Sequence, residues 1–113
     1  MYFFNKKMAF VYLLCDLGEN NLYKIGVTKG KIEKRIKQLQ TGNGNEISLI
    51  NFYETKYPFA IERLLHIKFN SKQIKSEWFE LENDDVFKFK EICANIENNI
   101  ESLENNAFKK LIK

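Results

Sequence analysis

The stretch that most limits how this chain can fold is Val11-Tyr12-Leu13-Leu14, followed by Tyr23-Lys24-Ile25-Gly26-Val27-Thr28. Two runs of β-branched and aromatic residues flank the turn-rich segment Asp16-Leu17-Gly18-Glu19-Asn20-Asn21. That pattern predicts a β-hairpin with a loop longer than the tight two-residue kind. Polar chemistry is set into it: Tyr12 falls in the first strand, Lys24 in the second, and Arg35 in the helical segment that follows. Tyr12 and Lys24 can serve one site only if they share a sheet face, so the register has to pair positions of equal parity.

Residues 9–15 are a continuous apolar run of β-formers, expected as a strand covered on both faces, and residues 22–28 form the second strand. After Lys29-Gly30, Ile32, Ile36 and Leu39 recur at helical spacing, which predicts a helix over 31–40. It stops at Thr41-Gly42-Asn43-Gly44-Asn45. Residues 47–53 read as the third strand. The single proline, Pro58, opens a second helix that runs to about Phe69. Residues 71–76 read as a polar connector and Glu77-Trp78-Phe79-Glu80-Leu81 as a short extended piece.

Asn83-Asp84-Asp85 offers an N-cap and acidic first-turn residues to a further helix. That helix carries Phe89, Ile92, Ile96, Ile100 and Leu103 in one stripe, with Asn98-Asn99 and Asn105-Asn106 as candidate interruptions. The stripe either packs on its own domain or meets a partner helix. The expected fold class is therefore α+β. A small, mainly antiparallel three-stranded sheet flanked by helices spans 1–82, and a C-terminal helical extension spans 83–113. The extension packs on the domain or serves association, as a homodimer or with a partner protein.

Charge is divided unevenly along the chain. Residues 1–76 hold 13 Lys and Arg against 6 Asp and Glu, whereas residues 77–113 hold 5 against 9. A basic body points to a polyanionic partner, nucleic acid being the commonest; the competing reading is a lysine-rich solvated surface. With 44% apolar and 14% aromatic residues, the chain can build a core. Cys15 and Cys93 lie in apolar runs and are expected as free thiols of a reducing compartment. With one histidine beside them, they are too few for a structural zinc site. The start, Met1-Tyr2-Phe3-Phe4-Asn5-Lys6-Lys7, has its charges after its aromatics and no long apolar core. Neither a signal peptide nor a membrane span is read there. The expectation is a soluble intracellular protein, cytoplasmic or nuclear, with no membrane partner.

Three further residues carry candidate chemistry. At about 100° per residue, Arg35 lies about 40° from Leu39, at the edge of the apolar arc of its helix. A guanidinium emerging there can take phosphate oxygens bidentately, or its stem can simply cover apolar surface. In the second helix, Ile61, Leu64, Leu65 and Phe69 form the apolar face, flanked by Glu62 and His66 at i and i+4. That pair can hydrogen-bond or share a ligand, although a lone histidine beside a core is more often structural. Glu77, ahead of Trp78-Phe79, is a candidate ligand for a hard cation, since magnesium takes one or two carboxylates and leaves the rest to water and phosphate. By composition Glu80 and Glu82 are equal candidates. The chain has no phosphate-cradling glycine loop, no Ser/His/Asp pattern and no nucleophilic cysteine context. A base, a cation for phosphate and a metal carboxylate are the parts that phosphodiester hydrolysis needs.

In this order the motifs resemble the GIY-YIG endonuclease superfamily, in a divergent branch common in phages and large DNA viruses. Val11-Tyr12-Leu13 stands at the first tyrosine element and Lys24-Ile25-Gly26 with Thr28 at the second. Tyr23 to Gly26, Arg35 to Asn43, Glu62 to His66 and Glu77 to Phe79 match that branch over roughly residues 9–82. The resemblance implies a three-stranded antiparallel sheet flanked by helices and metal-dependent hydrolysis of a DNA phosphodiester, with RNA left open as a substrate. It implies that Tyr12 activates or orients the attacking water, that Arg35 stabilises charge on the phosphate and that Glu77 holds one divalent ion, Mg²⁺ or Mn²⁺. Lys24 and His66 complete the candidate catalytic group, and Lys31, Lys34 and Lys37 are candidate substrate contacts.

Two positions depart from the family pattern. Lys24 stands at the second tyrosine, and the first glycine is replaced by Phe10 or Val11. A lysine at 24 can lower the pKa of Tyr12 or hold a phosphate, while Tyr23 points to the other face of the strand. The alternative function is a non-catalytic nucleic-acid-binding module that retains the nuclease fold. The acidic final helix is poorly suited to grip phosphates, so structure-selective or weakly specific action, or dependence on a partner, is expected. Arg35, His66 and Glu77 are expected to converge on the face shared by Tyr12 and Lys24.

Overall fold

The computed structural model describes residues 8–111. The start read above, Met1 to Lys7, lies outside the described residues, as do Ile112 and Lys113. The elements in chain order are β1 (Ala9–Asp16), β2 (Leu22–Thr28), α1 (Ile32–Thr41), β3 (Ile47–Thr55), α2 (Pro58–Lys68), a 3-10 turn (Asn70–Lys72), β4 (Gln73–Lys75), β5 (Trp78–Glu80), α3 (Asn83–Phe87) and α4 (Phe89–Leu111).

The α+β class is as expected, but the sheet has five strands instead of three, in the order β3-β1-β2-β5-β4, with every neighbour antiparallel. The two extra strands come from residues 73–80. Gln73, Ile74 and Lys75 are all exposed, so this short edge strand shows no apolar alternation and reads in sequence as a polar connector. Ser76, with φ 49°, supplies the left-handed turn that returns the chain into β5.

β1 pairs with β2 through Tyr12 opposite Gly26 and Leu14 opposite Lys24. Alternation then puts Tyr12, Leu14, Gly26 and Lys24 on one face, which meets the parity requirement. Against β3 the register slips: Tyr12 opposes Phe52, but Leu14 opposes Leu49. The slip keeps Ile47 and Leu49 on the same face as Tyr12 and Leu14, where Ile36 and Leu39 of α1 cover them. On the opposite face Val11, Leu13, Ile25 and Phe79 pack against Ile61, Leu65 and Phe69, and against Phe89 and Cys93 of α4. Leu64, expected on that apolar face, is exposed. β1 is thus covered on both sides, as its unbroken apolar run implied. Both cysteines are free, Cys93 buried and Cys15 half-buried. No described helix is long and apolar enough to cross a membrane.

The chain beyond residue 82 differs from expectation at both ends. The N-cap of α3 is Glu82 rather than Asn83, and Asp85 accepts hydrogen bonds from the Glu82 N–H at 3.1 Å and from Lys72 Nζ at 2.6 Å. After Lys88, α4 runs unbroken from Phe89 to Leu111, across both asparagine pairs. An asparagine costs a helix less than about 1 kcal/mol, whereas a buried isoleucine or phenylalanine returns roughly 1.5–3 kcal/mol. Phe89 is 2% exposed, and Ile92, Ile96 and Ile100 pack on the core. The stripe therefore covers its own domain as far as Ile100, and only Leu103 stands out in solvent.

Polar contacts reinforce this docking. Tyr53 and Thr55 of β3 both donate to the Glu97 carboxylate, and Tyr57 donates to Glu104. Thr55 is fully buried, and burial together with Glu97 pushes the Tyr53 phenol up to about 12. Replacing Glu97 with Ala leaves two hydroxyls without their acceptor. Glu97→Ala should lower stability by about 1–3 kcal/mol in urea denaturation, while exposed Glu91→Ala leaves the midpoint unchanged.

Candidate active site

The site begins with one close contact. A Cβ on Gly26 would come under 3.0 Å from Oη, Cζ and Cε1 of Tyr12, so the Tyr12 ring lies across the neighbouring strand in the space that a side chain would fill. No described glycine has a positive φ; Gly26 is needed for space, not for a turn. The ring is 1% exposed, and its hydroxyl is buried with no hydrogen-bond partner among the described residues. The same holds for Nε of Arg35, which emerges from the edge of α1 as its spacing predicted. Two unpartnered buried polar atoms in one small region are unusual in a folded protein.

Electrostatics identify the neighbours. Burial raises the pKa of Tyr12 above its usual value; Arg35, close enough to hydrogen-bond the phenol oxygen, and its charge pull the other way, and Glu77 and Glu62 push it up again. Arg35 therefore supplies the cationic help expected for the phenol, but it does not overcome desolvation. The phenol stays protonated at neutral pH. Its hydroxyl is thereby suited to donate a hydrogen bond, which agrees with a role in orienting a water.

Lys24 lies two residues from Gly26 on the same face. Its ammonium is 3.3 Å from Glu77 Oε1 and 5.5 Å from the centre of the Trp78 ring. Tyr23 points into the opposite core, as expected. Glu77 sits in the turn just before β5, where its carbonyl accepts from Ile25 N–H at 3.2 Å.

His66 reaches this region by another route. It belongs to α2, which packs on the opposite face of the sheet, so the expected convergence on one face does not hold for it. β5 pairs with β2 only at Leu22, Tyr23 and Lys24, which leaves Ile25 C=O without a strand partner on that side. His66 Nε2 lies 3.0 Å from this oxygen, and its ring packs edge-on to Phe79 with centroids 4.9 Å apart. A carbonyl can only accept, so Nε2 carries the proton and Nδ1 is the free acceptor of the neutral ring. The notch where β5 stops is thus where an α2 side chain meets the edge of β2.

Glu62, one turn before His66 on α2, borders the same cleft as Glu77. Its pKa is raised by burial and then by Glu77, and lowered by His66 and Lys24, so Glu62, His66, Glu77 and Lys24 act on one another. An open cleft of about 840 Å³ is lined by Glu62, Arg63, His66, Ser76 and Glu77 among others. Glu62 is the functional candidate that the sequence reading left without a role, although its spacing from His66 was the available signal. Lys31, Lys34 and Lys37 are exposed on α1, and none of them borders this cleft.

A polar network fixes the position of α1. Gln40 accepts from Ile47 N–H at 2.8 Å and donates to Asn45 C=O at 2.9 Å. Asn43 Nδ2 donates to Asn45 C=O and to the Asp16 carboxylate, which also accepts Gly18 N–H. The Gln40-Thr41-Gly42-Asn43 segment, read as a helix end and as part of the Arg35 to Asn43 motif, ties the end of α1 to β1 and β3 and so sets where Arg35 emerges.

A metal-ligand test divides the candidates. Among the described residues no group of three or more His, Cys, Asp or Glu is placed to hold a metal ion, which excludes a closed zinc-type cage there. Glu77, with Glu62 close enough to repel it, fits a hard cation that keeps most of its water.

A family model, the T5orf172 domain, matches residues 9–94. The chain belongs to the T5orf172 domain family. Comparison with curated proteins and with solved structures found no match. The T5orf172 domain is phage-derived and associated with nuclease-like proteins, and its match covers every site element from β1 to α3.

Space, not backbone strain, makes Gly26 necessary in this T5orf172 domain, so one methyl group tests the contact. Gly26→Ala should cost about 1–3 kcal/mol in thermal or urea denaturation, while Gly44→Ala, where a Cβ meets nothing within 4 Å, should be close to neutral.

Proposed function

We propose that this protein is a divalent-metal-dependent endonuclease of the GIY-YIG type that hydrolyses DNA phosphodiesters. The observation that carries the reading is the pair of buried, unpartnered polar atoms, Tyr12 Oη and Arg35 Nε, beside the acidic pair Glu62 and Glu77. The phenol has only the Arg35 guanidinium beside it and no carboxylate or carbonyl accepts its proton, so both side chains keep a donor for an anion, and a phosphate oxygen can take both.

In this reading Arg35 binds the scissile phosphate and faces the charge that grows on it. Tyr12, kept protonated by its burial, donates a hydrogen bond to the phosphate or to the attacking water. His66, with Nε2 held by Ile25 C=O, takes the proton of that water at Nδ1. The water oxygen bonds to phosphorus as the bond from phosphorus to the sugar oxygen breaks, and the leaving oxygen takes a proton from solvent. Glu77 would hold Mg²⁺ or Mn²⁺, with Glu62 as the second carboxylate. The ion, when bound, supplies Lewis-acid stabilisation of charge on the phosphate. Lys24, in place of the second tyrosine, steers the Glu77 carboxylate and balances its charge. Lys31, Lys34 and Lys37 add outer contacts to the DNA backbone.

The second reading, a DNA-binding module without cleavage, is favoured by one observation: the Lys24 ammonium already engages the Glu77 carboxylate at 3.3 Å. A nicking assay on supercoiled plasmid and on branched DNA decides between them. The nuclease reading predicts cleavage with Mg²⁺ or Mn²⁺, loss with EDTA, and a fall of about 100-fold or more for Arg35→Ala and for Glu77→Ala. Tyr12→Phe should slow cleavage, and His66→Gln, which cannot take the proton of the water, should slow it further. Binding without cutting under all these conditions would establish the module instead.

A further inference from the structure

On the other side of the Lys24–Glu77 pair a second groove opens between the end of α1 and β5. Its volume is about 230 Å³, and it is lined by Lys24, Gln38, Leu39, Asn43, Ile47 and Trp78. Ligand pockets for drug-sized molecules run to roughly 300–1,000 Å³, so this one suits a single small planar group. The lining is unusual for a surface crevice. The half-buried Trp78 indole and the side chains of Leu39 and Ile47 supply apolar walls. The amide of Gln38 is exposed and makes no hydrogen bond among the described residues. Asn43 spends its Nδ2 on Asp16 and Asn45, which leaves Oδ1 as an acceptor. An aromatic face, apolar edges, one free amide and one free acceptor are what a nucleobase requires: a surface to stack on and partners for its polar edge. Lys24 belongs both to this groove and to the catalytic group, so a strand whose phosphate lies at Arg35 has a neighbouring base within reach of it.

We propose that this groove is a subsite for one unpaired nucleobase next to the reacting phosphate. The inference rests on the nucleic-acid reading above and adds the form of the strand: a base stacked inside a duplex cannot enter the groove, so the preferred substrate is single-stranded or carries an unpaired nucleotide. Selectivity then comes from local strand structure and needs no attached recognition domain.

Trp78 is the only tryptophan in the chain, so intrinsic fluorescence reports on this groove and its immediate surroundings, and the abasic scan separates the two. The experiment titrates the full chain, in EDTA to prevent cleavage, with end-labelled single-stranded oligonucleotides, the matching duplex, and single strands carrying one abasic site at successive positions. Binding is followed independently by anisotropy of the label, with deoxyribose and ribose strands run in parallel. Single strands should change Trp78 emission at saturation, whereas the duplex should bind with little change. One abasic position should weaken binding on the order of tenfold and abolish the emission change. Gln38→Ala, an exposed substitution, should weaken the intact strand but not the strand abasic at that position. Binding with unchanged Trp78 emission, or an abasic scan with no position effect, would overturn the subsite. Absence of any binding would overturn both this proposal and the nucleic-acid reading. Quenching and position-dependent binding in a protein that never cuts would support the subsite and remove only hydrolysis.

Discussion

The ring of Tyr12 lying across Gly26 is the contact on which the active region depends. An aromatic side chain in a strand normally stands up from the sheet; here it lies over the neighbouring strand because that strand offers no Cβ at the crossing point. Lying flat buries the phenol under α1 and places its hydroxyl within the influence of Arg35, Glu62 and Glu77. A methyl group at position 26 would lift the ring and disperse these groups. The paired motifs around Tyr12 and Gly26 thus express a single steric fit.

The second constraint is the shortness of β5. Because it stops at the Glu77 turn, β2 keeps one carbonyl, at Ile25, that no strand satisfies, and a buried carbonyl without a partner costs roughly 1–3 kcal/mol. His66 satisfies it from α2. Glu62, one turn before His66, borders the same cleft as Glu77. Charge within the site is nearly balanced: Arg35 and Lys24 face Glu62 and Glu77. The Lys24–Glu77 pair is partly exposed, with side-chain exposures of 14% and 41%, and such pairs are typically worth less than about 1 kcal/mol. It is weak enough to be exchanged for a ligand of higher charge.

Much of this was legible in the sequence. The strands read at residues 9–15 and 22–28 and the two helices after them followed from apolar runs and helical period, and the common face of Tyr12 and Lys24 was a requirement of a shared site that the register meets. Arg35 at the edge of its helix followed from 100° per residue. What was not legible lacks such a pattern. β4 is three exposed residues with no apolar pattern. The register slip beside Leu14 is a property of two strands together. His66 meets the edge of β2 where β5 stops, which no local pattern encodes. Gln40 and Asn43 were legible as part of a motif but their hydrogen bonds were not, and the acceptor role of Glu97 was hidden among the many polar residues of α4. The raised pKa of Tyr12 depends on how deeply the ring is covered, a fact of packing alone.

The central claim is that the unpartnered Tyr12 and Arg35 atoms and the Glu77 carboxylate form one site for a phosphate and a divalent cation. A crystal of the protein with a short DNA strand carrying a phosphorothioate, soaked in Mn²⁺, tests it most directly through anomalous scattering. The account predicts a single manganese peak against Glu77, with Lys24 displaced from that carboxylate and a phosphate oxygen hydrogen-bonded to Arg35. A bound strand with no manganese at Glu77, or with its phosphates away from Arg35, would contradict it.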